Sequence, residues 1–595
     1  MRINGGERAG NNLFHSFDEF NLPEGMEAIF ENGLDVENIF TRVTGNSISN
    51  INGILSTQGT ANLFLVNPNG IVFGENAALN VGGSFIATTA DSIEFNDGAT
   101  FSASDTDSDP ILTIEFPIGL DFSHHSNNGA IEVNGSGNQI TSESLSQPTN
   151  VGNIFSGLQI NSKKTLALIG NNVNLNGGIV LTNGGKIEIG SVQNGFVDVT
   201  EDFKLNYDNV SSFGTIKLGQ QSSIDVTDSN GGSIELRGSD LLVNNGSKIL
   251  LRNDNGTLLG NLEVNTSNSI KLEGIGNSEV GSGIQAETTS SGQASNINLN
   301  TQRIVLKDGA RISSNTYSDG LGGNVTINAS DSVEILENSS NIVNASTYAS
   351  GNAGSVNLST NDFTITGGGG ISSSTLGTGE GGNLNVKTEN IELIGNLSEL
   401  TSLSAISAVS FSPIGNAGSI KVDTDTLKII DGGAVSTTSI GNGAAGNIYV
   451  NASDSIKISG QTEAFSSSIS SAVITQGDPE FRVQLGIPEI PGGSSGNIDI
   501  NTPSLQIVRG GEISVKNEGT GNAGALTINS KKINLDSTGR IDAISISGTG
   551  GNINLKTDRL QLEENSEITA TAGNDGEGRN MNINTNNLTA KKTVK

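Results

Sequence analysis

The sequence predicts an all-β fold, a parallel β-helix or solenoid with about three short strands per coil and a period of about 28 residues. Three observations carry this. Short apolar–polar–apolar segments recur behind Gly-Asn or Gly-Ser pairs, as in Gly323-Asn324-Val325-Thr326-Ile327 and Gly382-Asn383-Leu384-Asn385-Val386. Their spacing repeats along two thirds of the chain. Glycine supplies 79 of 595 residues and proline only 10, so tight turns are frequent without a collagen or Pro-rich pattern.

The first apolar residue of each segment marks the unit. The markers are Ile234, Leu262, Ile297, Val325, Val356, Leu384, Ile420, Ile448, Ile498, Leu526, Ile553 and Met581, spaced by 28, 35, 28, 31, 28, 36, 28, 50, 28, 27 and 28. A second apolar segment begins seven or eight residues later, from Leu241 to Leu588. A third begins fifteen later in seven units, at Ile249, Ile312, Ile371, Val435, Ile513, Ile541 and Ile568. Period-two alternation buries one face of a strand. Strands joined by turns too short for a crossover helix can bury that face by coiling about a shared axis. Successive coils then pair in parallel about 4.8 Å apart. Glycine and asparagine at the corners are expected to supply positive φ. The 35-, 36- and 50-residue intervals read as insertions. The longest, Ala472–Ser495, contains Pro479, Pro488 and Pro491 and reads as a protruding loop. At one coil per 28 residues the chain makes roughly 21 coils, a rod on the order of 100 Å.

Other classes drop out. Apolar residues at i and i+2 with frequent glycine make no helical stripe, and the aromatic signatures of propeller blades are missing. Without cysteine there is no disulfide framework, thiolate metal site or cysteine nucleophile. With 62 acidic against 31 basic residues, net charge −31, no nucleic-acid partner is expected. No stretch approaches the ~20 apolar residues of a membrane helix.

The first 200 residues are strand-rich but less regular, and phenylalanine concentrates there: Phe14, Phe40, Phe64, Phe85, Phe95, Phe101 and Phe122 among others. Larger side chains suggest a fatter core or a capped solenoid end, because an open edge pairs with other chains. Four segments resemble a known family. Asn12-Leu13-Phe14-His15-Ser16-Phe17 is similar to the opening of two-partner-secretion domains of filamentous-haemagglutinin type. Asn67-Pro68-Asn69-Gly70-Ile71, Gly82-Gly83-Ser84-Phe85-Ile86-Ala87-Thr88-Thr89-Ala90 and Pro117-Ile118-Gly119-Leu120 fit the same family in the same order. The family's NPNL motif is not intact; Asn46-Ser47-Ile48-Ser49 stands nearby.

The resemblance implies a division into an N-terminal secretion domain, 1–200, and a β-helix repeat region, 201–595. It implies that POTRA domains of an Omp85-type outer-membrane transporter recognise the secretion domain, with Asn67, Pro68, Asn69, Gly70 and Ile71 as the partner-facing turn. It further implies that the chain crosses unfolded and forms a right-handed β-helix outside. Two physical features agree with export. Zero cysteine removes the risk of a periplasmic disulfide jamming a pore. Coil-on-coil contacts let folding propagate from the emerging end. Residues 1–30 lack the apolar core of a signal peptide, and Ala590-Lys591-Lys592-Thr593-Val594-Lys595 follows the start of another coil. Both ends are therefore expected to be cut within the solenoid.

Candidate chemistry is sparse, and neither a catalytic nor a cofactor or metal site is expected. His124-His125 with Asp121 could start a metal site, but His15 is the only other histidine and a polar loop explains the pair. Asp105, Asp107 and Asp109 open like a calcium loop, yet Pro110 stands where glycine is required and Phe116 where the bidentate glutamate belongs. At most a weak surface calcium site would remain. Gly367–Gly370 and Gly377-Thr378-Gly379 read as corners, since no helix follows to cradle phosphate. β-Helical polysaccharide lyases and hydrolases use acidic clusters on an outer face. The column before the third strand holds Lys248, Arg311, Gly370, Ala434, Glu512, Arg540 and Glu567. Its last three alternate in sign, which reads as a charge ladder, and no face is expected to collect three carboxylates. The resulting expectation is a secreted or cell-surface, haemagglutinin-like adhesin of a Gram-negative bacterium, not an enzyme, with carbohydrate as the candidate ligand class. A β-helical carbohydrate-active enzyme is the alternative.

Overall fold

The computed structural model describes residues 1–105, 112–124, 129–141, 147–152, 157–228, 232–256, 260–277, 280–337, 341–395, 403–475, 479–573 and 579–591. Contacts divide the chain into two compact units, Met1–Gln285 with Asn298–Thr301, and Ala286–Ile297 with Gln302–Lys595.

The second unit is a parallel β-helix, and the markers read from sequence are its rungs. Val325, Val356, Leu384, Ile420, Ile448, Ile498, Leu526, Ile553 and Met581 are successive register partners. The third segments form a separate parallel sheet. There Ile312, Val343, Ile371, Ile406, Val435, Ile469, Ile513, Ile541 and Ile568 stack in one buried column.

In most coils the first two segments form one strand, not two: Ile420–Ile430, Ile448–Ser459, Ile498–Val508, Leu526–Asp536 and Ile553–Glu563. The corner is bridged by a buried hydroxyl four residues past the marker. Thr424, Thr502, Ser530 and Thr557 donate to the carbonyl two residues on, at 3.0, 3.2, 2.9 and 3.1 Å. That bond holds the bend, so the ladder largely continues through it. Where the ladder breaks, as at Val356–Ser359 and Asp362–Thr366, the predicted three strands appear.

Glycine behaves differently from expectation at the Gly-Asn turns. These residues are not at positive φ. They form two columns in which successive coils touch through backbone. A Cβ on Gly382 would lie 1.7 Å from Gly354 O, on Gly418 1.7 Å from Gly382 O, and on Gly446 1.8 Å from Gly418 O. Three residues earlier, a Cβ on Gly379, Gly415 or Gly443 would lie 2.0–2.2 Å from the glycine oxygen of the preceding coil. Buried hydroxyls seal this turn, with Thr316, Thr347, Thr375 and Ser439 donating to Gly320, Gly351, Gly379 and Gly443 oxygens at 2.5–2.7 Å. Asparagine adds a ladder: Asn383 Oδ1 accepts from Ser419 N and Asn497 Oδ1 from Ala525 N, at 2.9 and 2.8 Å. Positive φ is concentrated at the corner before the third strand, in Asp308-Gly309, Asp431-Gly432 and Arg509-Gly510.

The insertion read as a protruding loop contains a short helix, Pro479–Gln484, and is tied down. Arg482 is 6% exposed. It donates to Thr475 O at 3.2 Å, to Ile440 O at 3.0 Å and to Pro488 O. An arginine fork that satisfies several carbonyls can order a segment that has no strand partners.

The first unit has tighter coils around the strands Asn12–Phe17, Asn38–Val43, Asn62–Val66 and Phe85–Thr88, paired in parallel. Asn38 donates to Asn12 Oδ1 at 3.0 Å and Asn62 to Asn38 Oδ1 at 2.9 Å. These strands are buried on both faces. Inward residues fill the coil; outward residues meet an antiparallel sheet laid across it. Its strands run in the order Thr100–Ser102, Ser92–Phe95, Pro117–Asp121, Lys186–Val199, Leu205–Phe213. Phe14, Phe40 and Phe64 stack at centroid distances of 5.1 and 4.7 Å, and Phe95 and Phe101 close on them. The phenylalanines therefore build a second core outside the coil. The short strand Glu7–Ala9 also folds back antiparallel on Asn12–Phe14.

Candidate functional site

The turn Asn67–Ile71 leaves the strand Asn62–Val66 and enters Ile71–Phe73. Gly70 N donates to Asn67 O at 3.1 Å, closing a turn with proline at its second position, where its fixed φ fits. Asn67 is fully buried. Its Nδ2 donates to Ser47 O and Ser49 Oγ at 3.0 and 2.9 Å, and its Oδ1 accepts from Asn69 N at 3.0 Å. Asn69 Nδ2 donates to Gly45 O at 2.8 Å. From the other side, Gly129 N donates to Pro68 O at 2.7 Å, and Ile71 N to Ala130 O at 3.1 Å. The turn is thus stapled to the coil before it and the coil after it. Only Pro68 and Asn69 are part-exposed, while Gly70 and Ile71 are buried. The preceding turn carries Ile48, 48% exposed.

The other motif segments also meet packing demands. A Cβ on Gly82 would lie 1.9 Å from Gly59 O, and one on Gly119 2.0 Å from the Phe196 ring. His15 is buried, stacked on Phe17 at 6.0 Å and edge-on to Phe30 at 5.4 Å. Burial holds its pKa below 6.5, so it is a neutral core residue.

The described metal candidates do not assemble. His124 Nδ1 lies 3.3 Å from Asp121 Oδ2, but Asp121 Oδ1 is taken by Ser123 N and Oγ. His125, Asp107, Asp109 and Pro110 lie outside the described residues. Among the described residues no three metal-ligating side chains cluster.

In the outer column, Glu512, Arg540 and Glu567 are register partners, with Arg540 Nη2 2.7 Å from Glu512 Oε2. Lys248 departs from the column: it is 1% exposed. The segment around Asn138 lies against that corner, with Nδ2 donating to Ser222 O at 3.1 Å. One face does collect three carboxylates, against expectation. Glu188, Glu235 and Glu263 are successive register partners. The inserted hairpin separates Glu188 from Glu235 in sequence, and the period hides the column. Lys186 Nζ pairs with Glu188 and lies 3.8 Å from Glu235. Burial, then the Glu235 charge, push Glu188 up to about 8. A raised acid beside a second carboxylate is the pattern of acid–base catalysts. Here the raised member has no exposed surface. Tyr207, buried and held above its usual pKa mainly by that burial, closes over the strand beside Gly190. Glu235 and Glu263 are part-exposed, so the raised acid is the one member of the column sealed from solvent.

Comparison with known proteins agrees with the motif reading. Residues 1–236 match the family model described as TPS secretion domain. Among solved structures, the chain is similar to the HMW1 secretion domain from Haemophilus influenzae, at 16% identity and a TM-score of 0.40, over 71% of this chain and 92% of that one. No curated protein matches the chain. Residues 1–236 thus carry a two-partner-secretion domain, which indicates an exoprotein of that type and implies a transporter partner. No helix among the described residues is long and apolar enough to cross a membrane.

Proposed function

We propose that this exoprotein is a surface adhesin exported through an Omp85-type outer-membrane barrel whose POTRA domains recognise the N-terminal domain. The observation that carries the proposal is the secretion-domain match over residues 1–236. We assign secretion to residues 1–200 and adhesion to the repeats of 201–595. Within the Asn67–Ile71 turn, recognition falls to Pro68 and Asn69 with neighbouring Ile48. Asn67, Gly70 and Ile71 are buried and act by shaping the turn.

Coexpression with a cognate barrel tests this. Removing 1–236 should abolish release. Pro68→Ala with Ile48→Ala should lower the secreted amount while leaving the melting temperature of the purified chain unchanged. Unchanged secretion would refute recognition at this turn. Passage of an unfolded chain is tested by Asp499→Cys with Thr527→Cys, register partners on adjacent coils. The pair should block secretion under oxidising conditions and release it on reduction. Export with the pair oxidised in the periplasm would refute threading.

A further inference from the structure

Along part of the second unit the corner between the first two segments opens into grooves on the outside. Around Lys531 and Lys556 the groove encloses 520 Å³, with Asn529, Asp558, Asn584 and Asn586 along it. Its lining is amide, hydroxyl and charge, without an aromatic ring.

Several charged register pairs of the unit are opposite and close: Lys428 on Glu392 at 2.6 Å, Arg540 on Glu512 at 2.7 Å, Lys591 on Glu563 at 3.0 Å. Lys428 also has Lys457 as a register partner, like on like, but is itself paired with Glu392. At this corner Lys532 and Arg559 are register partners, like on like, with Lys531 and Lys556 flanking them. None of the four side chains makes an ion pair among the described residues. Asp558, the nearest carboxylate along the groove, accepts from Asn586 Nδ2 at 3.2 Å. A chain of net charge −31 therefore carries four uncompensated cations on two successive coils, beside a groove of hydrogen-bonding side chains.

We propose that this groove binds an acidic polysaccharide, its carboxylate or sulfate groups meeting Lys531 and Lys556 and its hydroxyls meeting Asn529, Asn584 and Asn586. Anionic groups on a hydroxyl-rich chain match the lining. Nucleic acid does not, because the groove has no ring for bases to stack on. This names a ligand for the adhesive function and rests on that reading.

The test is binding of the purified full chain to immobilised polygalacturonate, heparin, dextran, polyglutamate and single-stranded DNA. Binding to polygalacturonate points to uronate as the ligand group, and binding to heparin without polygalacturonate to sulfate. The K531Q/K556Q variant should lose about tenfold or more of that affinity, added salt should weaken it, and K457Q should retain it. Both lysines are exposed, and unchanged circular dichroism will show that the variant folds. The proposal fails if neither acidic glycan binds, if dextran binds equally, if K531Q/K556Q binds as wild type, or if polyglutamate or DNA binds as tightly. Adherence of displaying cells is scored in parallel. Cells that adhere without glycan binding would overturn the groove and leave the adhesin reading standing; cells that do not adhere would overturn the adhesin reading itself.

Discussion

Replacing Gly418 by alanine should damage the solenoid more than replacing a glycine that needs its unusual φ. Gly418 has an ordinary backbone conformation, so alanine is locally unstrained. Its Cβ, however, would lie 1.7 Å from Gly382 O, where ordinary contact begins near 3.4 Å. The coils must part by about 1.7 Å (3.4 − 1.7). Three bonds span the same gap: Leu384 N to Ser419 O at 3.0 Å, Gly381 N to Asn416 O at 2.9 Å, and Ser419 N to Asn383 Oδ1 at 2.9 Å. Stretched by that amount, none survives. At about 1 kcal/mol each, plus overpacking of about 1 kcal/mol or more, the loss is about 4 kcal/mol. Gly486, at φ +66 with nothing within 4 Å of a Cβ, is the control; alanine there costs about 1 kcal/mol. The chain has no tryptophan, so urea unfolding is followed by far-UV circular dichroism. Amide exchange at Leu384 and Ser419 reports the local opening. If Gly418→Ala is no more damaging than Gly486→Ala by both readouts, close approach of coils is not what selects glycine here.

Asn67→Ala should destabilise the N-terminal unit by about 2–3 kcal/mol, because it strands Ser47 O, Ser49 Oγ and the Asn69 amide, whereas Pro68→Ala should be nearly neutral in melting temperature. Thr538 sits at φ +68, so Thr538→Gly should raise stability by about 1 kcal/mol in urea unfolding. Two buried groups give stability opposite dependences on pH. His15 titrates lower folded than its unfolded value of 6.5, so its contribution is present above pH 6.5 and is lost as pH falls through the lowered value. Glu188 titrates higher folded, near 8 against 4.5 unfolded, so its contribution is present below pH 4.5 and is lost as pH rises through about 8. In pH-dependent thermal unfolding, His15→Leu should remove the loss that sets in as pH falls below 6.5, and Glu188→Gln the loss between pH 4.5 and about 8.

The register of the solenoid was legible because each rung repeats one local pattern, so a single marker residue indexes the whole coil. What that pattern could not carry was anything set by the neighbouring coil. Gly382 and Gly418 read as corner residues, yet their reason is a carbonyl oxygen 28 or 36 residues away, not their own φ. Glu188 joins Glu235 and Glu263 only after the Lys186–Val199 and Leu205–Phe213 hairpin has been folded out of the coil. Lys248 and Arg482 look like surface charge in sequence and are buried by segments with no repeat of their own.

The same distinction bears on the motifs that carry the family resemblance. Asn12, Asn67, Gly82, Phe85 and Gly119 each answer a specific contact inside the stack: an asparagine ladder, a stapled turn, a touching backbone or an aromatic ring. Motifs made of buried residues recur because the coil geometry requires them, and so they report the fold first. A transporter that meets the folded domain can touch only what that geometry leaves outside. At the Asn67–Ile71 turn, that is Pro68, part of Asn69 and the adjacent Ile48, and the recognition specificity should be sought in the exposed neighbours of the motif more than in its letters.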